Sequence, residues 1–140
     1  MKAFVTFFAL CLAAVHAAGL TDDQKAKLAD YKKSCFVETG ADPNAFENYK
    51  ANIVKGVEVK FDDKMNCFAA CMLKKIGIMR PDGTIDEAVA RSKVPKELPQ
   101  DKVDQAINTC KTQVGKDNCE IGGKVTGCLV KTKVLEMILA

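Results

Sequence analysis

Residues 62–77, DDKMNCFAACMLKKIG, carry two cysteines within about one helical turn. Met65, Phe68, Ala69, Met72 and Ile76 recur every three or four residues, which predicts an amphipathic helix from Asp62 to Ile76 that Gly77 ends. On such a helix Cys67 and Cys71 project from one face with their side chains running side by side, an arrangement unsuited to a bond between them. Each must therefore reach a different partner element. Every pairing that joins these two cysteines drops out, and the remaining pairings stay open.

Outward from this stretch the other cysteines form an ordered framework. Cys35, Cys67, Cys71, Cys110, Cys119 and Cys128 are separated by 31, 3, 38, 8 and 8 residues. The seventh, Cys11, lies in an apolar run near the start. Lys2 followed by an uncharged stretch from Ala3 to Val15, with Val15 and Ala17 flanking His16, reads as a secretory signal peptide over residues 1–17, cut before Ala18. Its 13 uncharged residues are too few to cross a bilayer, and no later run is long enough. The expected mature chain is a single secreted domain, residues 18–140, in which an even set of six cysteines pairs oxidatively.

Composition removes several functions. Loss of Lys2 takes Lys plus Arg from 21 to 20 against 18 Asp plus Glu, a charge of +2 that is too balanced for a nucleic-acid partner. The only histidine, His16, leaves with the signal peptide, and Ser34 and Ser92 are the only serines. No Ser-His-Asp constellation or histidine general base can be assembled. Cysteines committed to disulfides offer no thiolate to a metal or a substrate. The adjacent carboxylates Asp62 and Asp63 point in different directions on a helix, which disfavours a glycosidase pair. The expectation is no catalytic residue, no metal and no cofactor.

The rest of the chain reads as helices. Thr21 with Gln24 forms a capping box, and Leu28, Tyr31 and Cys35 follow at helical spacing to a stop at Gly40. Asp42-Pro43 restarts the pattern, with Phe46, Tyr49 and Ile53 on one face up to Gly56. Arg80-Pro81-Asp82-Gly83 reads as a type I turn, after which Thr84 is expected to cap a short helix through Ile85, Ala88 and Val89 that stops before Pro95. Val103, Ile107, Cys110 and Val114 predict a fifth helix ending at Gly115. Gly122, Gly123 and Gly127 would cost a helix between Cys119 and Cys128 about 3 kcal/mol relative to alanine. That segment is expected to be held by packing and disulfides or to be partly irregular.

On this spacing, signal peptide and helix punctuation, the chain resembles the insect odorant-binding protein family, pheromone-binding and general odorant-binding members included. The resemblance implies an all-α bundle of about six helices, cross-linked by three interlocked disulfides around an internal hydrophobic pocket. It implies the pairs Cys35–Cys71, Cys67–Cys119 and Cys110–Cys128. It further implies a small hydrophobic ligand, volatile or lipid-like, an olfactory receptor as onward partner, a monomer or weak homodimer, and secretion into a fluid such as sensillum lymph. The same fold would serve a carrier in haemolymph, saliva or reproductive fluid, and a solid interior would point instead to a surface-interacting protein.

Candidate pocket residues are Tyr31, Phe46, Tyr49, Ile53, Met65, Phe68, Met72, Ile76, Val89, Val103, Ile107, Val114, Leu135 and Ile138. Each also suits a plain helical core. Tyr31 and Tyr49, the only phenols, are the polar handles for an alcohol, aldehyde or ester. In similar family members the C-terminal segment covers the pocket mouth, a role the resemblance implies for residues 134–140, with ordinary docking of a terminal helix as the plainer alternative.

Overall fold

A computed structural model describes residues 21–134, and the signal-peptide reading, Leu135, Ile138 and nearly all of the expected cover lie outside those residues. Within them the chain forms six helices: α1 (Asp22–Thr39), α2 (Pro43–Val54), α3 (Asp63–Ile76), α4 (Glu87–Lys93), α5 (Gln100–Cys110) and α6 (Asn118–Lys131).

Local chemistry accounts for most of the boundaries. The Thr21 hydroxyl accepts from the Gln24 amide while the Gln24 side chain accepts from the Thr21 amide, which satisfies two donors that a helix start leaves unpaired. Asp42 and Asp62 cap α2 and α3 by accepting from Asn44 and Met65 amides at 2.9 and 2.7 Å. Gly40 and Gly77 end α1 and α3 at φ +69° and +93°, a left-handed conformation in which a side chain would be strained.

Two boundaries differ from the expectation. Thr84 does not cap α4. It belongs to a tight reversal in which the Arg80 amide donates to Thr84, the Asp86 amide donates to Ile78, and Met79 pairs with Ile85. Thr84 is held there by Asp82, and Asp86 caps the helix two residues later, accepting from the Val89 amide. The reversal lets Met79 and Ile85 join one apolar cluster. The fifth helix, expected to continue to Gly115, ends at Cys110, and Val114 is 75% exposed. Cys110 is bonded to Cys128 near the far end of α6, whereas Cys119 sits at its start. The connector must run back along nine helical residues, about 13 Å, and a more open chain covers that distance in fewer residues than a continued helix.

The glycine-bearing segment is a regular helix, so of the two expected alternatives the one in which packing and disulfides hold it stands, and the partly irregular one does not. Gly122 and Gly123 are buried against α3, and a Cβ on Gly122 would stand 2.6 Å from the Ala70 backbone, while one on Gly123 would collide with the Asn66 side chain. The helix propensity lost to these two glycines is offset by the approach they permit. At the same seam Cys67 and Cys119 have Cα atoms 4.2 Å apart.

The disulfides are Cys35–Cys71, Cys67–Cys119 and Cys110–Cys128. They tie α3 to α1 and to α6, and α5 to α6. The closely packed helix pairs follow the same line, α1 on α3, α3 on α6, α6 on α5 and α5 on α4. After α6, Lys133 takes φ +67° and Val134 is buried.

Candidate ligand site

The buried apolar side chains fall into three clusters. The first gathers Cys35, Ala41, Met65 and Phe68, with Phe36, Phe46, Tyr49, Phe61 and Met72 half-buried around them. The second joins Ala70, Leu73, Met79 and Val125 across the α3–α6 seam. The third holds Ala90, Val103 and Ile107 between α4 and α5, and Ile78 touches both the second and third.

Of the residues expected to line a pocket, Phe46, Tyr49, Met65, Phe68 and Met72 are brought together in the first cluster, and Val103 and Ile107 lie in the third. Ile53 is buried, whereas Tyr31, Ile76 and Val89 are half-buried. Val89 abuts the end of α3, where a Cβ on Gly77 would lie 3.5 Å from it. Val114 stands apart from these groups, on the surface.

The first cluster has the geometry of an aromatic wall. Phe36 stacks on Phe68 with centroids 4.5 Å apart, Phe46 meets Phe68 edge-on at 5.2 Å, and Tyr49 meets Phe61 edge-on at 5.0 Å. The Lys32 ammonium lies 5.1 Å from the Phe46 centroid, so one side of that ring faces a cation. Phe36 and Phe61 are central to this wall and absent from the expected set. Phe36 follows a bridging cysteine and Phe61 immediately precedes the α3 cap. Phe36 lies eight residues after Leu28, on the stripe of Tyr31 and Cys35, so helical periodicity offered it, whereas Phe61 lies outside a helix and periodicity passes over it.

A cleft of about 900 Å³ opens between the α2–α3 connector, the α5–α6 connector and α6. Val57, Val59, Val114 and Val130 supply its apolar surface, and Lys124, Lys131 and Lys133 its cations, with Glu58 as a carboxylate. Lys124 donates to the Val114 carbonyl and pairs with Glu120, each at 2.9 Å, so it fastens the α5–α6 connector to α6. The Lys124 contact and the Lys116 amide hold the Glu120 carboxyl below the usual glutamate range. A smaller concavity of about 570 Å³ lies beside the Cys35–Cys71 bridge, where the Glu38 carboxylate is 3.0 Å from Cys71 Sγ and pairs with Lys75. Cys35, Glu38 and Cys71 converge there, but the bond between the sulfurs removes the thiolates a soft metal would need.

A secondary network fixes α4. Arg91 bridges Glu87 and Asp104, and Lys111 also pairs with Glu87 at 3.1 Å. The Arg91 and Lys111 contacts hold the Glu87 carboxyl below its ordinary range. Asp82 is held low by the Thr84 hydroxyl and amide.

Six helices cross-linked by three interlocked disulfides, with an aromatic wall on the first three, are the architecture of a helical ligand carrier. The chain belongs to the PBP/GOBP family, whose model matches residues 17–132. It is 25% identical over 122 residues to general odorant-binding protein 56a of Drosophila melanogaster, covering 87% of this chain and 84% of that one. Among solved structures it is similar to the fatty acid binding protein OBP56a from the oral disk of the blowfly Phormia regina, with 29% identity, a TM-score of 0.66, and coverage of 81% of this chain and 95% of that one. Odorant binding protein 4 of Chrysopa pallens gives 27% identity, a TM-score of 0.62, and coverage of 84% and 96%. The family and these neighbours support a small-ligand carrier role. Among the described residues no helix is long and apolar enough to cross a membrane.

Proposed function

We propose that this chain is a secreted carrier that takes odorants, pheromones or lipid-like molecules into its apolar interior and conveys them through aqueous fluid to olfactory receptors. The division of the interior carries the reading. A domain of this size ordinarily has one contiguous core with small satellites, and here the aromatic cluster on α1–α3 and the aliphatic cluster on α4–α5 are separate bodies. Three disulfides restrict the unfolded chain and so can offset the cost that an interior ligand cavity carries. The aromatic wall supplies non-directional contact suited to varied apolar ligands, and Tyr49 adds a hydroxyl.

Residues 1–17 act in this reading as a signal peptide, and residues 18–140 as one non-enzymatic domain, a monomer or weak homodimer. Fatty acids belong among the ligands to be tried, because the similar blowfly protein is described as a fatty acid binding protein. That protein comes from an oral disk, which also favours a second reading, a carrier serving contact or feeding rather than airborne odour.

The test is a titration of the oxidised, delipidated chain with an apolar fluorophore, followed by competition with volatile alcohols, esters and fatty acids. Saturable one-to-one binding with selective displacement is expected. A folded, correctly paired sample that binds nothing would sink the carrier reading and favour a surface-interacting protein.

A further inference from the structure

Only one place in the sequence sets a glycine directly after an aspartate or asparagine, Asp82-Gly83. Such a pair is chemically weak in a flexible chain, because glycine has no side chain to shield its backbone nitrogen. That nitrogen can attack Asp82 Cγ. The N–Cγ bond forms, a carboxyl oxygen leaves as water with the amide proton, and a succinimide ring results. Water then opens the ring on either side, giving back aspartate or giving isoaspartate, whose backbone runs through the former side chain. Water is the only other reactant, and nothing is oxidised or reduced.

The fold requires the glycine. Its φ is +90°, and a Cβ there would stand 2.5 Å from Asn118 Oδ1 and 3.1 Å from the Ile121 side chain. The Asn118 side-chain amide donates to the Pro81 carbonyl at 3.0 Å, so the turn is docked on the start of α6 and Gly83 is buried. Both reacting atoms are held. Thr84 donates to Asp82 Oδ1 from its amide at 2.9 Å and from its hydroxyl at 2.6 Å, and the Gly83 amide donates to the Arg80 carbonyl at 2.9 Å. The Thr84 bonds favour the ionised carboxyl, which is a poor electrophile. The nitrogen cannot give up its proton without leaving the Arg80 carbonyl. The Arg80 guanidinium closes the reversal, donating to the Thr84 hydroxyl at 3.2 Å and the Ile85 carbonyl at 3.3 Å and pairing with Asp86.

We infer that Asp82-Gly83 is a site of spontaneous isomerisation that the folded reversal holds shut and that only its opening releases. The rate then follows the population of the open reversal. Isoaspartate adds one carbon to the backbone and leaves its carboxylate on Cα, so the Thr84 contacts cannot re-form and the Met79–Ile85 pairing is loosened for good. None of these residues belongs to the aromatic cluster, so the inference stands apart from the carrier reading and can fail without it.

The test ages the oxidised secreted chain in mildly acidic buffer, beside the same chain held unfolded in urea with its disulfides intact, and locates isoaspartate by fragmentation mass spectrometry. Asp82 should be the main site in the unfolded sample. The folded sample should react there at least about tenfold more slowly, the factor for one charged hydrogen bond that opening must break. Thr84→Val, which keeps the branched shape and removes the hydroxyl, should raise the folded rate by a similar factor, and Thr84→Ser should leave it unchanged. Asp82→Glu, whose longer side chain does not close the succinimide ring, should abolish the product. Amide exchange at Gly83 and Thr84 reads the opening without any substitution, so the test survives a Thr84→Val chain that fails to fold. Urea below the unfolding midpoint should speed exchange and isomerisation in the same proportion. The purified isoaspartate form should show shifted amides from Met79 to Ile85. Equal rates in the folded and unfolded samples overturn the inference. So does isomerisation faster than the opening at Gly83 and Thr84 allows, an unfolded chain that reacts mainly at another aspartate, a folded Thr84→Val chain that ages like the unsubstituted one, or an isoaspartate form whose amides do not move.

Discussion

The α3–α6 seam and helix α2 are held by different means. At the seam, backbones approach closely enough that Gly122 has no room for a methyl group, and Cys67–Cys119 locks the register. Helix α2 carries no cysteine and is absent from the closely packed helix pairs, reaching the body through Phe46 and Tyr49. The helices with cysteines, α1, α3, α5 and α6, form a fixed frame, and α2 and α4 are walls laid on it. A close seam tolerates no added atom, whereas a wall attached through half-buried rings can shift by a side-chain rotation. In the proposed carrier this places adaptability at the α2 side of the aromatic wall and rigidity where the cross-links are.

The comparison can be broken first at the disulfides. Cys67 and Cys119 are 52 residues apart, so replacing both by serine should cost about 4 kcal/mol, whereas the same change at Cys110 and Cys128, separated by 18, should cost about 3 kcal/mol. Guanidinium unfolding of the two variants would reveal the order, and equal losses would show that loop length is not the governing factor.

Next in size, Gly122→Leu should destabilise by about 3 kcal/mol because the new side chain meets Ala70 backbone. Gly127→Ala, on the same helix, should stabilise by about 1 kcal/mol, since nothing opposes it and helix propensity improves. Thermal melts that moved both variants in one direction would contradict the close seam.

On α2, Phe46→Ala should cost about 2 kcal/mol, less than the 3–5 kcal/mol of a fully buried phenylalanine, because the ring is only half-buried. Its larger effect should be on ligand affinity, read by fluorophore titration. A variant with lost stability and unaltered binding would make Phe46 ordinary core.

The smallest effect concerns α4. Glu87 has its carboxyl held below the ordinary range by Arg91 and Lys111, so its ionised form supports the folded state above the unfolded-state value near 4.5. That contribution is lost as pH falls through the lower folded value. Glu87→Gln should therefore narrow the stability difference between neutral pH and the acid range below 4.5, and a variant with an unchanged stability profile over that range would remove the network from the account.

How legible the chain was depends on the range of the interaction concerned. Thr21, Asp42, Asp62, Gly40 and Gly77 act on amides and dihedrals within a few residues, so their helix ends were readable one residue at a time. Thr84 looked equally good as a cap and failed, because Asp82 holds its side chain and cluster packing of Ile85 claims the segment. The candidate site was legible by residue type: Phe46, Tyr49, Met65, Phe68 and Met72 converge as a set, Phe36 shares the stripe of Leu28, Tyr31 and Cys35 yet was passed over, and Phe61 lies outside any helix. Val114 kept the period of α5 but left the helix, since the bridge from Cys110 to Cys128 requires the connector to run back along α6.

By itself the sequence determined the all-helical class, the caps, the six-cysteine framework and the lack of a histidine general base in residues 18–140, all of which follow from composition or from contacts a few residues long. Only the tertiary structure decided where α5 stops, why Gly122 and Gly123 sit in a helix, and which apolar residues share a wall. Those outcomes depend on distances between segments far apart in the chain, and no local pattern encodes the approach of Gly122 to Ala70.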